Sequence, residues 1–143
     1  MSAAAKHAVP MRWSIEGWRA FWSDPRPERA AAGVPLVVAP DIVGCWPRAT
    51  RPVRGVDAYT KYIVDLLTFL PGFRAELMEH AENSNVVFLR WLARGTGPQG
   101  PFEARGVDRL ILRTDGLVGE NMILSDHPIF ADIARHCGDA GAR

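Results

Sequence analysis

One carboxylate stands out by the company it keeps. Asp108 lies in Gly106-Val107-Asp108-Arg109-Leu110-Ile111-Leu112, a run otherwise suited to a β-sheet. Side chains alternate faces along a strand, so Asp108 shares one face with Ala104, Gly106, Leu110 and Leu112. Arg105, Arg109 and Arg113 share the opposite face with Glu103. A carboxyl group on the apolar side of a strand has its charged form disfavoured, so its pKa should rise. It then serves either as a neutral hydrogen-bond donor or as a base. The competing role is structural: a carboxylate that accepts hydrogen bonds from an arginine or a buried backbone group and ties the sheet together. Acid–base chemistry generally needs a second group within hydrogen-bond reach.

Other side chains can line a site around it. Trp46, Tyr59, Phe69 and Trp91 suit the wall of a cavity for a flat apolar ligand, or plain core packing. Asn121 and Ser125 share a strand face with Ile123 and are candidate polar contacts, or ordinary strand-end hydrogen bonders. Asp126, just before His127-Pro128, reads as a cap for a closing helix. Arg90 and Arg94 alternate with Trp91 and so face away from it. No His, Cys or carboxylate group has metal-ligand spacing, and no metal or cofactor is expected. Gly95–Gly100 lacks the lysine and the helix start of a phosphate cradle, and no serine sits in a nucleophile elbow.

The elements that must hold these residues follow from periodicity. Ile15, Trp18, Phe21 and Trp22 recur at helical spacing between Arg12 and Asp24. A second short helix is expected over Glu28–Ala32, stopped by Gly33, with a further turn or irregular segment at Leu36–Ala39 between two prolines. Ile42–Trp46 reads as a strand and Arg48–Gly55 as a polar loop. The clearest helix is Asp57–Leu70, where Tyr59, Tyr62, Ile63, Leu66, Leu67 and Leu70 mark one face. Strands follow at Phe73–His80 and Val86–Gly95, joined by Glu82-Asn83-Ser84-Asn85, then a loop at Gly95–Gly100. Residues 101–126 form a long hairpin around Asp115-Gly116, a dipeptide suited to the two positive φ values of a type I′ turn. Ile129–His136 closes the chain as a helix, with Gly138 as its stop. Helices segregated from an antiparallel sheet make this an α+β protein.

Composition bounds the rest. A chain of 143 residues, 48% hydrophobic and 23% charged, fits one domain with a real core. The expected organisation is a mobile segment over residues 1–11, a single domain over 12–137 and a tail over 138–143. Net charge of +1 with scattered arginines gives no case for nucleic acid. No run approaches membrane-spanning length, and Met1–Met11 has no apolar core of signal-peptide size. Cys45 and Cys137 form no close-spaced motif, so a cytoplasmic protein without a disulfide framework is expected. Five tryptophans in one small domain suggest a large apolar interior or cavity.

Several segments in this order resemble the nuclear transport factor 2-like superfamily, in its SnoaL-like branch. They are Asp41-Ile42-Val43 with Trp46-Pro47, Arg54-Gly55-Val56-Asp57-Ala58-Tyr59, Leu70-Pro71-Gly72-Phe73-Arg74, Val87-Phe88-Leu89-Arg90-Trp91, Gly106-Val107-Asp108 and Asp115-Gly116-Leu117-Val118-Gly119-Glu120-Asn121. The resemblance spans about Trp13 to Ile133. It implies a strongly curved sheet wrapped around helices as a cone with a deep apolar pocket, and a homodimer through the outer sheet face. It also implies a small apolar ligand, bound with or without cofactor-independent acid–base catalysis on a ketone, enol or epoxide-like substrate. The alternative is a non-catalytic binding or dimerisation module. Three catalytic patterns of relatives are each incomplete here. Ketosteroid isomerases place a protonated aspartic acid where Asp108 stands, but their general base falls at Trp46 and their oxyanion tyrosine near Phe21 or Trp22. SnoaL-type cyclases and limonene-epoxide-hydrolase-like enzymes place an acid–base aspartate where Ile123 stands. The epoxide-hydrolase pattern also has an arginine where this chain has Gly106.

Overall fold

The structure, a computed structural model, describes residues 12–139, without the side chains of 138 and 139. The expected segment 1–11 and residues 140–143 of the expected tail 138–143 lie outside the described residues. The first helix, α1 (Ile15–Ser23), is capped by Ser14, whose Oγ accepts from the Gly17 N–H at 3.0 Å. Its apolar stripe buries Trp18. Helix α2 (Pro27–Val37) starts on a proline, where the missing N–H costs nothing. It runs through Gly33, which was expected to end it: Gly33 takes no positive φ, and Pro35 removes only one late backbone bond before the helix ends anyway.

Strand β1 (Val38–Cys45) is longer than the expected Ile42–Trp46, and β2 (Val53–Arg54) pairs with it inside the segment expected to be a polar loop. Pro40 has no N–H to give a ladder, and it falls where the register of β1 against its other neighbour shifts. Helix α3 (Val56–Phe69) matches its periodicity, burying Tyr59, Tyr62, Ile63, Leu66 and Leu67 along one face.

Four strands then run as an antiparallel meander: β3 (Arg74–Asn83), β4 (Val86–Gly97), β5 (Gly100–Leu112) and β6 (Val118–Leu124). Gly97 pairs with Gly100, so the expected Gly95–Gly100 loop is nearly all strand around a two-residue turn. The β5–β6 turn is not type I′. Gly116 alone takes a positive φ (84°), its N–H donates to the Arg113 carbonyl, and Arg113 N–H donates to Leu117. That is a three-residue loop closed by a left-handed glycine. The Asp115 carboxylate takes the Leu117 N–H instead of entering a left-handed conformation itself.

The sheet order is β2-β1-β6-β5-β4-β3, antiparallel except for the parallel β1–β6 pair. The sheet is mixed, open and curved, and its concave face packs on α1–α3, giving an α+β cone. The closing helix is α4 (Ile129–Ile133), after which residues 134–139 form a π-helical turn in place of the expected α-helix to His136. Asp126 does not cap it. His127 Nδ1 accepts the Ile129 N–H at 3.0 Å. No helix among the described residues is long and apolar enough to cross a membrane.

Leu89, on the concave side of β4, is wholly buried at 0% exposure. Truncating it by Leu89→Ala leaves a cavity in a packed interior and is expected to cost about 2–5 kcal/mol in urea denaturation.

Candidate functional site

The concave face carries the site, and register decides which residues meet there. Across the ladder, Leu89 pairs with Asp108 and Asp108 with Ile123. One step along, Gly44, Asn121, Leu110 and Val87 lie in a row. Asp108 and Asn121 are thus diagonal neighbours on one face, close enough for side chains to interact. They are the two polar or charged side chains found buried among the described residues, at 7% and 6% exposure.

Both line a cavity of about 280 Å³ between the sheet and α1–α3, near the small end of the range for small-molecule sites. All five tryptophans border it, together with Phe21, Tyr59 and Phe130. Trp46 stacks on Tyr62, with ring centroids 4.1 Å apart, and leans on Tyr59 at 5.2 Å.

Asp108 is held by an indole rather than by an arginine or the backbone. Trp91 Nε1 donates to its Oδ1 at 2.9 Å, and Asn121 and Trp18 stand close enough to favour its charged form. No cationic side chain pairs with it among the described residues. Burial pushes its pKa up to about 6, and the donors from Trp91, Asn121 and Trp18 hold it from rising further.

Two glycines make this geometry possible. A Cβ on Gly106 would stand 2.3 Å from the Trp91 ring. Gly44 does the same for α3: a Cβ there would come within 2.5 Å of Trp46 and 2.9 Å of Tyr59. The Tyr59 ring therefore rests on the sheet beside Asn121, and Asn121 Nδ2 donates to its hydroxyl at 2.8 Å. Burial, and the negative charge of Asp108 nearby, push the Tyr59 pKa up, so its hydroxyl keeps its proton.

Of the sequence-selected residues, Asp108, Trp46, Tyr59, Trp91 and Asn121 come together at the cavity. Phe69 and Ser125 do not border it. Phe69 packs at the margin of the core and stacks on His136 at 3.8 Å. Ser125 lies past the end of β6, where its Oγ donates to the Arg105 carbonyl at 2.7 Å. Sequence reasoning missed Trp18 and the close approaches at Gly44 and Gly106. Trp18 was visible as part of an apolar stripe, but nothing in helical spacing says which indole turns its N–H toward a carboxylate.

A family model described as SnoaL-like domain matches residues 15–121, three quarters of the chain. The chain belongs to the SnoaL-like domain family. Solved structures similar to it include a protein of ketosteroid isomerase-like fold from Catenulispora acidiphila, crystallised with trimethylamine. The two share 12% identity over 77% of this chain and 82% of that one, with a TM-score of 0.66. A steroid delta-isomerase from Pseudomonas aeruginosa is 19% identical over 99% and 94% of the two chains, at a TM-score of 0.64. A cystatin-like fold from Silicibacter pomeroyi is 14% identical over 86% and 84%, at 0.63. At these identities the likeness establishes the fold of this SnoaL-like chain and nothing about its reaction. A search of curated proteins returns no match.

Proposed function

We propose that this SnoaL-like protein binds a small, largely apolar molecule in the aromatic-lined cavity. Asp108 acts as its acid–base group, without a cofactor, on a ketone, enol or epoxide-like substrate. The observation that carries the reading is the setting of Asp108. It is a buried carboxyl group on a cavity wall, without a cationic partner, held by neutral N–H donors with its pKa raised to about 6. A carboxyl group poised near neutrality can both take and return a proton. The chain does not rely on the machinery of its relatives, because Trp46 and Ile123 carry no titratable group. Trp46 and Trp91 supply the apolar wall, and Asn121 and Tyr59 the polar contacts.

Tryptophan fluorescence tests binding directly, since every indole of the chain borders the cavity. A panel of small aryl ketones and epoxides is expected to give saturable quenching and, for a subset, chemical conversion seen by chromatography. Saturable binding with no conversion across the panel supports instead a non-catalytic ligand-binding module, the reading that Trp46 and Ile123 favour.

A second copy of the chain is the proposed partner, through the convex face of the sheet. Phe88 and Leu124 project there at 43% and 51% exposure, beside Val107 and Met122. Light scattering is expected to give a dimer, converted to monomer by Leu124→Glu. The two free thiols, Cys45 and Cys137, suit a reducing cytoplasm.

A further inference from the structure

The proton inventory around Tyr59 is incomplete in an informative way. Its hydroxyl oxygen accepts the Asn121 Nδ2–H, so its own O–H proton is not used in that bond, and no acceptor for it stands among the described residues. The other end of the same amide is also unmatched: Asn121 Oδ1 is buried without a hydrogen-bond partner. A carboxamide rotated by a half-turn exchanges these two ends. In that orientation Oδ1 takes the Tyr59 proton, and Nδ2 turns to the side where Oδ1 had no partner.

Asp108 decides between the two orientations. Asn121 is the diagonal neighbour of Asp108 on the same buried face, and its amide N–H end, turned that way, favours the carboxylate. Turned the other way, the amide would set Oδ1 toward the carboxylate, oxygen against oxygen, which is repulsive unless Asp108 carries a proton it can donate. Resting on the small-molecule reading of the cavity, we propose that Tyr59 is the hydrogen-bond donor to a ligand oxygen, and that Asn121 positions it. The hydroxyl is offered to the ligand while Asp108 is a carboxylate and withdrawn onto Asn121 once Asp108 is protonated. The ligand class is then a molecule with an acceptor oxygen, such as a ketone, next to the proton that Asp108 takes. Gly44 keeps Tyr59 close enough to the sheet for this exchange.

The charged or titratable groups lining the cavity are Asp108, Tyr59 and Arg12, and burial pushes the Tyr59 pKa up, away from the range between pH 5 and 8. A pH response in that window therefore reports Asp108. The probe is acetophenone carrying carbonyl-¹³C, whose resonance moves downfield when the carbonyl accepts a hydrogen bond. Bound to the wild-type chain at pH 8, the signal is expected downfield of its position in Tyr59→Phe, a variant that keeps the ring packing. The shift is expected to fade as pH is lowered through about 6 in wild type and to become independent of pH in Asn121→Leu.

Two results would overturn the proposal. One is an unchanged carbonyl shift in Tyr59→Phe. The other is a shift that grows as pH falls, which makes protonated Asp108 the donor. Absence of any bound signal from the folded wild-type chain at saturating probe would remove the pocket reading itself, a failure distinct from the other two.

Discussion

Asp108→Asn is expected to lower turnover of whichever ketone or epoxide the wild-type chain converts by roughly 10²–10⁴-fold, the usual contribution of an acid–base group. The variant should fold, because the amide oxygen of Asn can still accept the Trp91 N–H. It should also change how stability depends on pH. The folded-state pKa of Asp108 is raised from 3.8 to about 6, so between those values the folded state holds more protons than the unfolded one. Stability contributed by the neutral carboxyl is complete below about pH 4 and is lost as pH rises through about 6. The loss is of the order of ~3 kcal/mol, from 1.36 kcal/mol for each unit of difference. Urea denaturation at pH 4.5 and pH 8 is therefore expected to show wild type losing stability toward pH 8. Asp108→Asn should show a flatter profile. Equal slopes for the two chains would mean that Asp108 titrates as a solvated group.

Gly106→Ala is expected to be among the most damaging small substitutions in the chain. The new methyl carbon would meet the Trp91 ring at 2.3 Å and the Leu124 carbonyl oxygen at 2.6 Å. The ring could swing away, but the carbonyl belongs to the neighbouring strand and cannot. Overpacking of this kind costs about 1–3 kcal/mol and more when backbone must move. Displacing Trp91 also removes its hydrogen bond to buried Asp108, an additional ~1–3 kcal/mol. A fall of roughly 3 kcal/mol or more in unfolding free energy is expected, with loss of ligand-induced tryptophan quenching. A wild-type melting curve for Gly106→Ala would contradict the placement of Trp91. The same contact explains why the arginine of the epoxide-hydrolase pattern is missing. Trp91 occupies the space above residue 106, and no long side chain fits under it.

The fold was largely legible because its signals are local. The apolar face of α3 and the alternation along β5 both survive in the structure, and Asp108 falls on the buried face as its parity requires. What failed was also local evidence, overruled by distant partners. Val53–Arg54 becomes a strand only because β1 passes beside it. Pro98-Gln99 becomes a tight turn because β4 and β5 extend as a pair to Gly97 and Gly100. Gly33 and Pro35 look like stops, yet α2 packs on as a continuous helix.

The site was half legible. Alternation selects Asp108, Asn121 and Trp91, because all three lie on strands whose inner face is fixed by hydrophobic neighbours. Phe69 and Ser125 share the chemistry but not the direction. On a helix, one residue beyond the buried stripe faces elsewhere, and past the end of a strand the alternation stops. The bond between Tyr59 and Asn121 joins residues 62 apart in sequence, and the glycine that permits it lies on a third element. No pattern within one segment encodes such a meeting.

The central claim is that Asp108 is a dry, proton-exchanging carboxyl group. Its most direct test is a carboxyl-¹³C NMR titration of the wild-type chain, with Asp108→Asn assigning the resonance. A midpoint near 6 is the expected result. A midpoint at or below about 3.9, the value of an unperturbed aspartate, would contradict the claim and leave Asp108 as a structural anchor for Trp91.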